Sequence, residues 1–309
     1  MAKLSIVAAL YKSESTIIEF IERCISVSEK VVGQSYEILL VDDGSPDNSF
    51  RLASTFARKN KKIKLIRLSK NYGQHQALFV GFKRAKGTLV FTLDSDLEEP
   101  PETLEKFYKF MLTNKSCDVL GAVQLQRKGK FSEIFFGRLF YSLSRVVFDY
   151  SPVPNQLNMF LMKKRVVQQI NTLPNGDLTL IGAMNTFGFK TNYFEVKKLS
   201  TSATSYKFSS KIKLAFKILS SHVQKPIKIL TIISLGLGAG SVLVIFWLLI
   251  KYLLGFSVLG GWSSLFIIIL FWGSFISILQ SITLLILAEI LNHQRGINKV
   301  VESEHVNCL

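Results

Sequence analysis

Residues 229–250 carry no charged side chain, and beyond Lys251 a second charge-free run extends over residues 252–288. At about 1.5 Å of rise per helical residue, a run of this length matches a hydrocarbon layer roughly 30 Å thick. The second run is long enough for a turn around Gly260-Gly261 and another crossing at about 264–287. Two such runs in succession point to a membrane hairpin rather than to buried core helices. Tyr252 and Trp262 lie near the turn, where interfacial rings are expected.

Charge is segregated from these runs. The chain of 309 residues has 38 Lys+Arg and 22 Asp+Glu, a net +16, and residues 229–309 hold three of each sign. The whole basic excess therefore lies in residues 1–228. Lys207, Lys211, Lys213, Lys217, Lys225 and Lys228 precede the first run, and Arg295 and Lys299 follow the second, with Lys251 alone in the turn. The positive-inside rule then places the N-terminal part and the C-terminal tail in the cytoplasm. Residues 4–10 are too short an apolar run for a secretory signal. Residues 131–148 and 207–223 mix apolar positions at helical spacing with basic residues. The second stretch abuts the first span and reads as an interfacial helix meeting anionic lipid; the first suits that role or ordinary core packing equally.

Several classes are excluded. Cys24, Cys117 and Cys308 are odd in number and widely spaced, which rules out a disulfide scaffold. His75, His222, His293 and His305 stand singly, so no zinc constellation is present. No GxGxxG follows the first apolar strand and no GxxxxGK[ST] occurs, which disfavours dinucleotide dehydrogenases and P-loop NTPases.

Residues 4–9 (LSIVAA), 37–41 (EILLV), 63–68 and 89–93 (LVFTL) read as short buried strands. Helical patterns at 15–32, 49–60, 74–85 and from 101 onward separate them. This alternation predicts an α/β fold with a mostly parallel, helix-covered sheet. Ligands of such sheets bind outside the carboxyl ends of the strands. Two of those ends carry acidic pairs, Asp42-Asp43 and Asp94-x-Asp96. Side chains two apart on a strand point the same way, so Asp94 and Asp96 together offer hard oxygen ligands for Mg²⁺ or Mn²⁺. A carboxylate at Asp42-Asp43 can accept from a nucleobase N–H or a ribose hydroxyl, while the other member serves the turn.

Residues 4–11 with Glu14, VDDGSPD at 41–47, SKNYGQHQAL at 69–78 and LDSDLEEPPE at 93–102 resemble family 2 glycosyltransferases of the GT-A fold. The resemblance is to the branch that charges polyprenyl phosphates, spans essentially the whole chain and includes the paired C-terminal runs. It implies a nucleotide-sugar donor, UDP-linked by default, with Ala9, Tyr11 and Val41 around the nucleotide and Asp43 accepting from the base. It implies a divalent cation held by Asp94 and Asp96 as the catalytic carboxylates, with Ser95 beside the ribose. Arg127, Lys198 and Lys207 are the candidate phosphate contacts. The implied acceptor is an undecaprenyl-type phosphate at the plasma membrane; membrane lipids are partners, a homo-oligomer is compatible, and no nucleic acid is involved. The implied layout is a catalytic domain at 1–205, a juxtamembrane amphipathic helix at 206–228, two spans within 229–291 and a cytosolic tail at 292–309.

The chain departs from that family's pattern in places. Asn158 and Phe160 stand where relatives carry aspartate and arginine, Gln124 replaces an arginine, and Ser200 and Tyr206 replace an arginine and a lysine. A phosphate monoester is largely dianionic at neutral pH and is already nucleophilic, so the acceptor chemistry does not require a strong general base. The competing expectation is a non-catalytic membrane scaffold derived from such an enzyme. A processive transferase is disfavoured, because there is no QxxRW-type motif.

Overall fold

A computed structural model of the chain describes residues 2–124, 153, 155–173, 179–198, 224–255, 262–294 and 300–307. In chain order the elements are β1 (Leu4–Leu10), α1 (Ile17–Val32), β2 (Tyr36–Asp42), α2 (Ser49–Lys59), β3 (Ile63–Leu68), α3 (Gln74–Arg84), β4 (Leu89–Thr92) and α4 (Thr103–Thr113). There follow β5 (Val119–Gln124), β6 (Gln156–Lys163), α5 (Lys164–Ile170), α6 (Leu180–Thr186), β7 (Thr191–Val196), α7 (Gln224–Leu253), α8 (Trp262–Gln294) and β8 (Glu302–Val306). The two stretches expected to be interfacial, residues 131–148 and 207–223, lie outside the described residues, as do Arg127, Ser200, Tyr206 and Lys207.

The chain divides into two compact units. One comprises Met1–Lys128, Val153–Ser205 and Arg295–Leu309; the other comprises Gly129–Pro152 and Tyr206–Gln294.

The first unit is built on an eight-stranded sheet of order β7-β5-β6-β4-β1-β2-β3-β8. β1 runs parallel to β2 and β4, β2 parallel to β3, and β5 parallel to β7. β6 is antiparallel to both β4 and β5, and β8 is antiparallel to β3. The sheet is mostly parallel, as expected, with two antiparallel insertions that the strand–helix alternation does not announce.

β1 is buried along its whole length because both faces are covered. Leu4, Ile6, Ala8 and Leu10 enter the core with residues of α1, α2 and α4, while Val7 and Ala9 enter the opposite core with α3, α5 and α6. This period-2 partition of a strand apolar but for Ser5 is what a doubly covered sheet requires. α1 meets it with Ile17, Phe20, Ile21, Cys24 and Val27 on one face. The chain runs β1, β2, β3 outward to one side, then returns to place β4 on the other side of β1. The carboxyl ends of β1 and β4 therefore form a topological switch point, where a crevice opens.

Gly44 follows β2 with φ +66, and a Cβ there would lie 2.7 Å from the carbonyl carbon of Lys70. The turn after β2 thus needs glycine for its left-handed backbone and for the close passage of the 69–73 loop.

In the second unit, α7 and α8 pack together through small residues. Ser234, Ser241, Ser274 and Ser281 are buried, the Ser234 and Ser281 hydroxyls are 3.3 Å apart, and Gly238 faces Ile278 and Ser274. Large apolar side chains such as Leu243, Phe246, Trp247, Phe271 and Trp272 are exposed. Both helices are long and apolar enough to cross a membrane, over Ile229–Leu253 and Leu265–Leu284.

Gly44→Ala is expected to destabilise the first unit by about 1–3 kcal/mol, combining a positive-φ penalty with a backbone clash. Thermal unfolding followed by circular dichroism or intrinsic fluorescence measures the shift.

Candidate functional site

Four strand ends converge on one cleft of about 450 Å³. Ala9, Tyr11, Lys12, Ser13, Ser15 and Thr16 come from the segment after β1, and Asp43 from the end of β2. Asn71, Gly73 and Gln74 come from the connection between β3 and α3, and Asp94, Ser95 and Asp96 from the end of β4.

Asp43 is almost fully buried. Its backbone N–H donates to Leu10 O at 2.9 Å, which ties the ends of β2 and β1. Its carboxylate accepts from the N–H groups of Tyr72 at 2.7 Å and Gly73 at 2.9 Å. Burial raises its pKa above the ordinary carboxylate value, and the two backbone donors work against that rise. Each oxygen keeps lone-pair capacity for a further donor. Asp42 serves the turn instead: it accepts from Ser45 N–H at 3.3 Å and pairs with Arg67 Nε at 3.3 Å.

Ser95 bridges the two sides of the switch point. Its hydroxyl donates to Ala9 O at 3.0 Å and lies 2.9 Å from the Ser13 hydroxyl, and its carbonyl accepts from Thr16 Oγ1 at 2.8 Å. These bonds draw the ends of β1 and β4 together and aim Asp94 and Asp96 into one space. Tyr11, 45% exposed, lies at the rim as an open ring. Lys12 beside it has φ 55, a left-handed backbone that a lysine adopts only under constraint.

Asp94 accepts from the side-chain amides of Gln74 and, at 3.4 Å, Asn158. Burial and the neighbouring charge of Asp96 push its pKa up to about 6. Asp96 is exposed and accepts from Glu98 N–H at 3.0 Å. Glu98 accepts from Lys198 Nζ at 2.6 Å. Glu99 is 2% exposed, its Oε2 has no hydrogen-bond partner, and burial with the charge of Asp94 pushes its pKa up to about 8.

Of the residues assigned to the donor and the cation from sequence, Ala9, Tyr11, Asp43, Asp94, Ser95 and Asp96 line this one cleft. Val41 is different: its side chain is fully buried with Val7, Leu39 and Ile66, because its position on β2 directs it into the sheet core. It is not among the residues that line the cleft. Phe160 is also wholly buried, its ring edge against Gly121, so an arginine there has no room for its charge. Lys198 is engaged by Glu98. Lys12, Thr16 and Glu99 are not signalled in the sequence beyond the density of carboxylates in LEEPPE, while Asn71 and Gln74 fall within the SKNYGQHQAL stretch.

Two carboxylates, Asp94 and Asp96, point into the cleft, and the described residues contain no group of three or more metal-ligating side chains. Burial and then the charge of Asp96 raise the pKa of Asp94, and a hard divalent cation would offset the repulsion between the two, with waters and anionic ligand oxygens completing its shell. The donor set therefore fits Mg²⁺ or Mn²⁺.

The profile of the family described as Glycosyl transferase family 2 matches residues 5–170. A Bacillus subtilis protein, the uncharacterized glycosyltransferase YkcC, is 29% identical over 283 residues, covering 89% of this chain and 85% of that protein. The undecaprenyl-phosphate 4-deoxy-4-formamido-L-arabinose transferase of Pectobacterium atrosepticum is 29% identical over 235 residues, covering 74% and 70% respectively. Among solved structures, glucosyl-3-phosphoglycerate synthase from Mycobacterium tuberculosis, in complex with Mn²⁺, UDP and phosphoglyceric acid, superposes with a TM-score of 0.51. It is 16% identical, with 73% of this chain and 78% of that one covered, and so speaks to the fold.

Glu99→Gln tests the buried carboxyl. A folded-state pKa of about 8, above the ordinary glutamate value of 4.5, means the folded state holds this proton more tightly than the unfolded chain. Stability from this group is therefore greatest at low pH and is lost as pH rises towards and past 8. The substitution is expected to stabilise the cation-free protein by about 1–3 kcal/mol at pH 8.5 and to change little at pH 4, read from thermal midpoints across pH.

Proposed function

The chain belongs to glycosyl transferase family 2, and from this we propose that it transfers a sugar from a nucleotide donor to a polyprenyl phosphate at a membrane. The observation that carries the reading is the convergence of Tyr11, Asp43, Asp94, Ser95 and Asp96 on one cleft at the switch point of a GT-A sheet.

In this reading the base stacks on Tyr11 and donates to Asp43, and the ribose lies near Ser95. A divalent cation, when bound by Asp94 and Asp96, offsets charge on the leaving diphosphate. Gln74 and Asn158 hold Asp94 by its two oxygens and fix its direction. A phosphate oxygen of the acceptor attacks the anomeric carbon from the face opposite the leaving group. The C–O bond to the nucleoside diphosphate breaks, and a lipid-phosphate-linked sugar of inverted configuration is released with the nucleotide. Asn158 has no basic atom, which suits an acceptor that arrives already ionised. UDP is the default nucleotide, supported by the UDP complex of a structural neighbour and by nothing in the base contacts of this chain.

The membrane part of the proposal rests on the two apolar helices. Their outward face is apolar and their contact face is small and polar, the distribution expected of helices packed in lipid. Exposed apolar surface of this extent is not stable in water. Basic residues flank the hairpin at both of its sequence ends, and in this reading the positive-inside rule makes both flanks cytoplasmic.

A second reading, donor binding without turnover, is favoured by Phe160 in the core where relatives carry an arginine. One assay separates the two. Membranes containing the full chain, undecaprenyl phosphate, Mn²⁺ and a panel of radiolabelled nucleotide sugars are expected to yield an organic-extractable labelled lipid. Asp96→Ala is expected to lower that rate by about a hundredfold or more, on the scale of losing a group that stabilises developing charge. Nucleotide binding with no labelled lipid from any donor selects the scaffold reading.

A further inference from the structure

We propose that the C-terminal strand β8 positions the donor cleft by holding the 69–74 loop through the hydroxyl of Tyr72. β8 pairs with β3 from Leu65↔Val306 to Leu68↔Glu302. The contact then continues past the ladder into the loop. Ser69 N–H donates to Val301 O at 2.9 Å, and Val301 N–H donates to the Tyr72 hydroxyl at 3.4 Å. The Tyr72 and Ser69 hydroxyls are 3.0 Å apart.

The loop so held is the wall of the cleft. Its inner side presents the Tyr72 and Gly73 N–H groups to Asp43, and its next residue, Gln74, donates to Asp94. Asn71, Gly73 and Gln74 line the cleft directly. Beneath it, Gly44 allows the backbone of Lys70 to pass in contact. The loop is thus clamped between the β2 turn on one side and the tail on the other. Gly73 has φ +96, a backbone open to glycine, where the loop turns into α3.

The tail has its own anchors. Asn307 donates its side-chain amide to the carbonyls of Ala57 and, at 3.0 Å, Ile63. Glu302 pairs with Arg84 at 2.9 Å. Val300 packs with Tyr72 against one core, and Val306 packs against the other. The strand itself reads ESEHV, mostly exposed, and contributes little apolar burial. What it supplies is geometry: a fixed rail on which the loop is hung. The chain that crosses the hairpin therefore ends by completing the cleft wall, and the donor geometry depends on residues that follow α8.

The inference deepens the donor-site reading of the cleft, and its first test does not need that reading. Tyr72→Phe keeps the ring and removes the hydroxyl; Val301→Pro removes the N–H that donates to it. Both are made in the full chain in lipid nanodiscs. Hydrogen–deuterium exchange at residues 69–74 is expected to speed up by about tenfold in each variant, the scale of one lost hydrogen bond. Residues 36–42 and the thermal midpoint stay unchanged, which a general loss of structure would not allow. Unaltered exchange at 69–74 in both variants overturns the proposal. The second test is UDP with Mn²⁺ as the probe: its dissociation constant is expected to rise about fivefold in Tyr72→Phe. A value within twofold of wild type overturns the positioning role. If the wild type binds neither UDP nor GDP with Mn²⁺, the donor reading fails, and the exchange result alone decides whether the tail holds the loop.

Discussion

Asp94, Asp96, Glu98 and Glu99 crowd four carboxylates into six residues at the end of β4. Like charges in a partly desolvated place repel strongly, and the fold offers limited relief. Lys198 pairs with Glu98, and two amides and a backbone N–H hold Asp94 and Asp96. Among the described residues no ion pair closes on Asp94, Asp96 or Glu99. Burial first, and then the neighbouring carboxylates, lift the pKa of Asp94 to about 6 and that of Glu99 to about 8. The surrounding hydrogen bonds fix directions rather than neutralise charge, and the proposed cation would offset what remains.

The frame that tolerates this repulsion is the doubly covered sheet. β1 is fully buried, so the position of its carboxyl end is fixed by two cores at once. Ser95 and Thr16 tie the end of β4 to that of β1, and Asp43 ties β2 to β1 and to the loop after β3. Each link is a buried or half-buried hydrogen bond between segments distant in sequence. Losing one partner leaves the other unsatisfied, which makes these links worth more than their number suggests.

Much of this was legible in the sequence. The strands at 4–10, 36–42, 63–68 and 89–92 are short apolar runs buried on both faces, and the helices between them carry clean periodicity, so pattern alone locates them. β8 was not legible: ESEHV has neither alternation nor apolar content, and it becomes a strand because β3 offers an open edge. β6 was hidden for a related reason, since its antiparallel insertion between β4 and β5 is a matter of topology. In the cleft, residues on strand ends were found because acidic pairs stand out. The contacts of Gln74, Asn158 and Glu99 were not legible, because they are made across the fold. Strand alternation turns the Val41 side chain into the core, which the short run EILLV does not reveal.

The central claim is that the carboxylates at the end of β4 hold a divalent cation together with a nucleotide diphosphate. Electron paramagnetic resonance of Mn²⁺ titrated into the full chain with UDP tests it directly. The account predicts one tightly held ion per chain, with phosphorus hyperfine coupling from the diphosphate, and its loss in Asp94→Asn and Asp96→Asn. An ion held equally well in both variants, or a bound ion without phosphorus coupling, would contradict it.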